Sequence, residues 1–178
     1  MNLENNSKPI DDSYWVIPGR FRAGEYPGSI QEDKARSKLR WLLNQDINFF
    51  LDLTMTGEAG LKPYFHFLHE EATTISMLVI HKRLSIQDLS KPSQEKMVAI
   101  LDTIDSALSE GKNIYLHCFG GKGRTGTVVG CYLVRHGTPR DKALEKIQEL
   151  RREIPGKFEQ SPETEGQRRM VMEWTKGR

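Results

Sequence analysis

Cysteine is scarce in this sequence: only Cys118 and Cys131 are present. Two thiols exclude a disulfide framework, and no Cys/His cluster has zinc spacing. A reducing compartment follows as the simple expectation. Long apolar runs are also missing, and none approaches the roughly 18 residues a membrane helix needs. The opening stretch, MNLENNSKPIDDSYW, lacks the apolar core of a signal peptide. A cytoplasmic protein without stable membrane insertion is therefore expected. An excess of one charge sign is absent too: 26 Lys and Arg against 24 Asp and Glu give a net charge of +2. That is too little to argue for nucleic acid or a membrane surface, but it suits a positive pocket for a small anion. There are no repeats and no low-complexity segment. A chain of 178 residues, 37% of them hydrophobic, is expected to form one domain with an ordinary core.

Along the chain, residues 1–12 read as a polar flexible lead and residues 13–178 as the single domain. Pro18-Gly19 and Pro27-Gly28 bracket a short strand or hairpin around Arg20 to Tyr26. Ala35, Leu39, Leu42 and Leu43 share one face of a helix spanning Ile30 to Asn44. INFFLDLT reads as a buried strand, KPYFHFLHEEA as a helix opening with Pro63, and TTISMLVIH as the next strand. Met97, Ile100, Leu101, Ile104 and Leu108 mark a helix that Gly111 closes. NIYLH is a strand, followed by a helix from about Arg124 to His136. Thr138-Pro139 and Ser161-Pro162 read as start signals for two further helices. Strands alternating with helices imply an α/β domain, with a central, mostly parallel sheet of about four to five strands flanked by helices.

The chemistry concentrates in HCFGGKGRT, residues 117–125. In an open α/β sheet, ligands bind beyond the carboxyl ends of the strands, and Cys118 stands at such an end. The run Phe119, Gly120, Gly121, Lys122, Gly123 is poor in side chains, so the backbone can curl and turn its N–H groups inward. The following helix adds its positive N-terminal end. Arg124 offers a bidentate fork suited to phosphate. Helix N-termini and neighbouring cations favour the thiolate form of a cysteine, so an oxyanion cradle also makes a nucleophile. Thr125 can donate its hydroxyl to the sulfur, and His117 can order the loop through backbone hydrogen bonds. A nucleotide-binding P-loop would need Ser or Thr directly after Gly121-Lys122, and Gly123 stands there instead. A plain tight turn around a buried cysteine would not need Arg, Lys, Thr and His together.

These residues resemble the His-Cys, five residues, Arg-Ser/Thr signature of cysteine-dependent protein tyrosine phosphatases. The likeness runs from about Trp15 to Trp174 and points to the compact, dual-specificity-like branch. The low-molecular-weight branch shares the Cys-to-Arg spacing, but places it near the N-terminus. The resemblance implies attack of Cys118 on phosphorus, a phosphocysteine intermediate, and no cofactor or metal. It implies phosphate binding by residues 119–124, with Cys118, Arg124, Thr125 and His117 as the catalytic set.

The resemblance also implies a carboxylic acid on a loop about thirty residues before the cysteine, which here is Asp88 in SIQDLSKPS. Such a group protonates the leaving oxygen and later activates water. Asp52 is the competitor, but a strand position favours structural hydrogen bonding. The Trp-Pro-Asp tripeptide of the larger tyrosine phosphatases is absent. Gln167 resembles a water-positioning glutamine of some relatives and reads equally as a solvated helix residue. Lys122 resembles a lysine of inositol-lipid phosphatases, although Phe119 replaces the second lysine usual there. Lys82 and Arg83 are candidates for extra charge at the rim. Cys131 and Gly130 read as core positions. The substrate implied is a phosphorylated protein, phosphotyrosine first and phosphoserine or phosphothreonine next, with a phosphorylated small molecule such as an inositol phosphate or phosphoinositide as the alternative. A catalytically silent phosphate-binding module and a sulfurtransferase fit the flanking residues less well. Oligomeric state is not legible.

Overall fold

The computed structural model describes residues 8–154 and 159–178. Its sheet has five strands in the order β1-β2-β5-β3-β4. They are β1 Ser13–Ile17, β2 Phe21–Gly24, β3 Phe49–Asp52, β4 Ile80–Arg83 and β5 Ile114–His117. β1 and β2 form an antiparallel hairpin, and the other pairings are parallel. This is the mostly parallel sheet expected. The central strands β3 and β5 are buried along their whole length, as strands covered on both faces must be. β4 lies at an edge, alternates exposed and half-buried residues, and carries Lys82 and Arg83 there, charges that discourage further strand pairing.

Six α-helices cover the sheet among the described residues: α1 Glu32–Leu43, α2 Phe65–Thr74, α3 Gln94–Ser109, α4 Gly123–Arg135, α5 Arg140–Arg151 and α6 Glu165–Glu173. On one face, Leu39, Leu42 and Leu43 of α1 and Leu68 and Ala72 of α2 pack with Phe50 and Tyr115. On the other, the apolar stripes of α3, α4, α5 and α6 pack with Leu51 and Leu116. Gly130 permits the close approach of α4, α5 and α6, because a Cβ there would lie 2.6 Å from Val171 and 3.1 Å from Ile147. Cys131 is fully buried, and burial pushes its thiol well up. It is a core residue.

Several boundaries differ from the sequence reading. Of the lead expected over residues 1–12, residues 1–7 lie outside the described residues. Ile10 is fully buried and Asp12 pairs with Arg151, so packing begins before residue 13. Pro63 precedes α2 rather than opening it, and the strand expected from Thr73 starts only at Ile80. Thr73 and Thr74 instead form the last turn of α2, with their hydroxyls donating to the carbonyls of His69 and Glu71. α5 begins after Pro139, with no side-chain cap from Thr138. α6 is capped by Thr164 in a reciprocal box with Gln167, and not by Ser161.

Candidate active site

The carboxyl end of β5 delivers His117 and Cys118 to the loop that leads into α4. His117 is fully buried. Its Nδ1 lies 3.2 Å from the Cys118 carbonyl and its Nε2 2.7 Å from the Tyr64 hydroxyl. A carbonyl only accepts, so Nδ1 carries the proton and Nε2 accepts from Tyr64. Burial holds the imidazole pKa down to about 4 despite the nearby Asp52 carboxylate. His117 is therefore a neutral strut between α2's N-terminus and the cysteine backbone.

Cys118 is 3% exposed. It shares a cavity of about 230 Å³ with Asp88, Leu89, Gly120, Lys122, Arg124 and neighbouring residues. A loop can present its N–H groups to an anion only if its carbonyls point elsewhere, and buried carbonyls need donors. Those donors are supplied from behind. The Tyr26 N–H donates to the Phe119 carbonyl at 2.9 Å. Arg151 Nη1 donates to the Gly121 carbonyl at 3.0 Å, and Ser161 Oγ donates to the Lys122 carbonyl at 2.8 Å. Gly121 has φ +71°, and a Cβ there would lie 2.6 Å from the Gly24 carbonyl carbon. Both the left-handed backbone and the close approach to β2 therefore require glycine at this position.

Arg124 is 1% exposed. Glu58 holds its fork bidentately at 2.6 and 2.7 Å, and Nη1 also donates to the Ile86 carbonyl. Nε is buried without a partner. Asp88 Oδ1 lies 2.9 Å from Nη2, with its side chain 55% exposed. Burial alone would raise the Glu58 carboxyl, but hydrogen bonds from Arg124 and the Met55 N–H outweigh it and hold the group below the usual range. Glu58 is thus an ionised anchor, while Asp88 is the accessible carboxyl beside the cysteine. Leu89, next to Asp88, has φ +58°, a left-handed conformation uncommon outside glycine, and is 57% exposed.

The remaining candidates separate clearly. Thr125 is buried, but its hydroxyl has no hydrogen-bond partner. The expected hydroxyl-to-sulfur bond is therefore not made: the first turn of α4 encloses the hydroxyl without pairing it. Gln167 is fully buried rather than solvated. Its Oε1 accepts from the N–H groups of Glu163 and Thr164, and its Nε2 donates to the Ser90 carbonyl. It ties α6 to the Asp88 loop. Lys122 pairs with Glu159 at 2.5 Å. Asp52 is structural: it accepts from Thr54 and from Arg83 at 2.8 Å, which removes Arg83 from the rim. Lys82 donates to Thr103, on the edge strand.

Residues given no part in the site from sequence are Glu58, Asp12, Arg151, Ser161, Glu159 and Glu163. One carried a signal: Arg151 continues the buried stripe of Ala143 and Ile147 at four-residue spacing, and a charged residue on such a stripe is rarely fully buried without a purpose. Its fork also reaches Asp12 at 3.2 and 3.3 Å.

The comparisons agree with this geometry. The mouse dual specificity protein phosphatase CDC14B is 38% identical over 150 residues, 82% of this chain and 28% of that protein. The matches cover 36%, 58% and 28% of the lengths of three curated relatives, so this chain spans less than two thirds of each. P. aeruginosa TpbA in complex with pTyr superposes with a TM-score of 0.67 at 15% identity, covering 96% of this chain and 88% of that one. PTPMT1 in complex with PI(5)P superposes with a TM-score of 0.66 at 18% identity, covering 92% and 94%. At those identities the two structures establish the fold. Residues 26–138, well over half the chain, match the family described as "Polymorphic toxin system, DSP-PTPase phosphatase", and the chain belongs to that family, within the dual-specificity-like branch of the cysteine-dependent protein tyrosine phosphatases.

Proposed function

We propose that this protein hydrolyses phosphate monoesters, with phosphotyrosine on proteins as the preferred substrate. The Cys118 thiolate attacks phosphorus while the ester oxygen–phosphorus bond breaks, and Asp88 gives its proton to the leaving oxygen. Water then attacks the phosphocysteine, Asp88 takes a proton from it, phosphate departs and the thiolate is restored. The backbone N–H groups of residues 119–124, together with Arg124 Nε, which has no other partner, stabilise the equatorial oxygens. An arriving phosphate competes with Asp88 for Arg124 Nη2, which would free the carboxyl for the leaving group.

The observation that carries the substrate preference is the charge at the mouth. Lys122, the residue that would suit a multiply phosphorylated headgroup, is tied to Glu159. Asp88 and Glu163 add carboxylates to the cavity lining, and Leu89 and Phe119 make its rim apolar. One phosphate on an apolar aromatic group fits this better than several phosphates on a sugar alcohol. A phosphoinositide is the second reading, supported by the PTPMT1 neighbour with PI(5)P and by Lys122 itself.

The test is phosphate release from a phosphotyrosine peptide, a phosphothreonine peptide and a soluble phosphoinositide, with Cys118→Ser as the blank. A higher kcat/KM on phosphotyrosine is expected. Preference for the phosphoinositide would overturn the substrate reading, and substantial turnover by Cys118→Ser would overturn the mechanism.

A further inference from the structure

Beside the catalytic cavity lies a second, open groove of about 390 Å³ whose lining includes Tyr26, Ile30, Leu61, Lys62, Phe119 and Gly120. Phe119 and Gly120 line both spaces, so the groove begins where a leaving group emerges from the phosphate site. One residue clamps its three loops together. The Tyr26 N–H donates to the Phe119 carbonyl, and the Tyr26 hydroxyl donates to the Lys62 carbonyl at 2.9 Å. Tyr26 itself is 6% exposed. The groove is therefore preformed, and its walls present unusual surface: Ile30 is 85% exposed and Phe119 50%. Single exposed apolar residues need no explanation. Two that line one groove continuous with a reactive site mark a place for an apolar group. Charge narrows the occupant. Glu25 and Lys38 in the lining neutralise each other at 2.7 Å. Lys62 is exposed and is the lining cation without an ion pair among the described residues.

We propose that this groove is a specificity subsite for an apolar side chain flanking the phosphotyrosine of a protein substrate, with an acidic residue beyond it favoured by Lys62. The inference rests on the phosphotyrosine reading. It adds which phosphotyrosines are chosen: the phosphate site holds the anion, and the groove reads the neighbouring residue. An anionic membrane surface is the poorer occupant, because Glu25, Asp88, Glu159 and Glu163 offset Lys38, Arg124, Lys122 and Lys62 around the two openings and leave no excess of positive charge to attract it.

The experiment compares phosphotyrosine peptides in which one leucine is moved through the flanking positions of an otherwise alanine background. It uses wild type, Ile30→Asp and Leu61→Asp, with p-nitrophenyl phosphate as the substrate that cannot reach the groove. At one position leucine should raise wild-type kcat/KM about tenfold, equivalent to about 1.4 kcal/mol. Both variants should lose that gain while their turnover of p-nitrophenyl phosphate stays unchanged. Equal kcat/KM across the series with all peptides turned over would overturn the subsite and leave the phosphotyrosine reading standing. So would a leucine preference that survives in both variants. Failure of wild type to turn over any of the peptides, alongside release of phosphate from phosphoinositide vesicles, would overturn the phosphotyrosine reading and the peptide occupant with it.

Discussion

Arg151 offers the sharpest test of how the proposed phosphate-binding loop is held. Its guanidinium is buried, donates to the Gly121 carbonyl and pairs with Asp12. Burial holds the Asp12 carboxyl above its usual range even with Arg151 beside it. Arg151→Met would strand that carboxyl and release the carbonyl. Removing one partner of a buried ion pair costs about 3–5 kcal/mol. Because the Asp12 side chain is 19% exposed, water can reach it, and the lower end, about 3 kcal/mol, is expected. Total stabilities are only about 5–15 kcal/mol, so the melting temperature should fall by roughly 6–12 °C. The double variant Arg151→Met/Asp12→Asn removes the stranded charge and should recover part of this loss. Turnover should not recover. Once the Gly121 carbonyl is free, its peptide can turn, bringing an acceptor inward and taking the Lys122 N–H away. A single oxyanion donor is worth about 10²–10³ in kcat, and a peptide that turns part of the time should cost about tenfold or more. Thermal denaturation and steady-state kinetics on p-nitrophenyl phosphate read the two effects separately. If the double variant regains stability and also wild-type kcat, Arg151 does not hold the loop. A loss below about 1 kcal/mol in the single variant would show that the pair does not stabilise the fold.

Three further outcomes are expected. Glu58→Gln removes the charge-assisted clamp on Arg124, and since such hydrogen bonds contribute about 1.5–3 kcal/mol each, kcat/KM should fall at least tenfold; unchanged kinetics would show that Arg124 is positioned by the Ile86 carbonyl alone. Asp88→Asn should lower kcat about 100-fold for phosphotyrosine and less for p-nitrophenyl phosphate, whose leaving group needs little protonation; equal losses on both would place the acid elsewhere. His117 should make stability depend on pH, because its folded pKa is about 4 against about 6.5 when unfolded. The unfolded chain then binds the extra proton between those values, so the contribution is intact above pH 6.5 and is lost as pH falls toward 4, by up to about 1.4 kcal/mol per pH unit. Asp52, whose pKa is lowered, loses its contribution only below that window. Chemical denaturation from pH 7 to 4 should show a shallower slope in His117→Gln than in wild type, and parallel slopes would contradict the buried neutral imidazole.

Much of this molecule is determined by short-range pattern. The stripe of Ala35, Leu39, Leu42 and Leu43, the apolar run before Cys118 and the glycine-rich turn after it each dictate their local structure, because periodicity and backbone freedom are properties of neighbouring residues. Cys118, the loop and Arg124 are contiguous, so the residues of the candidate site could be picked out from the sequence alone, and the family resemblance pointed to Asp88. Tertiary structure decided what holds them. Glu58 meets Arg124 across 66 residues, Arg151 meets Gly121 across 30 and Asp12 across 139, and Gln167 reaches the Asp88 loop across 77. No periodicity encodes such pairings. They arise because the parallel sheet brings the carboxyl ends of its strands to one edge, where carbonyls turned away from the phosphate site and buried charges must each find a partner from whichever element packs behind them.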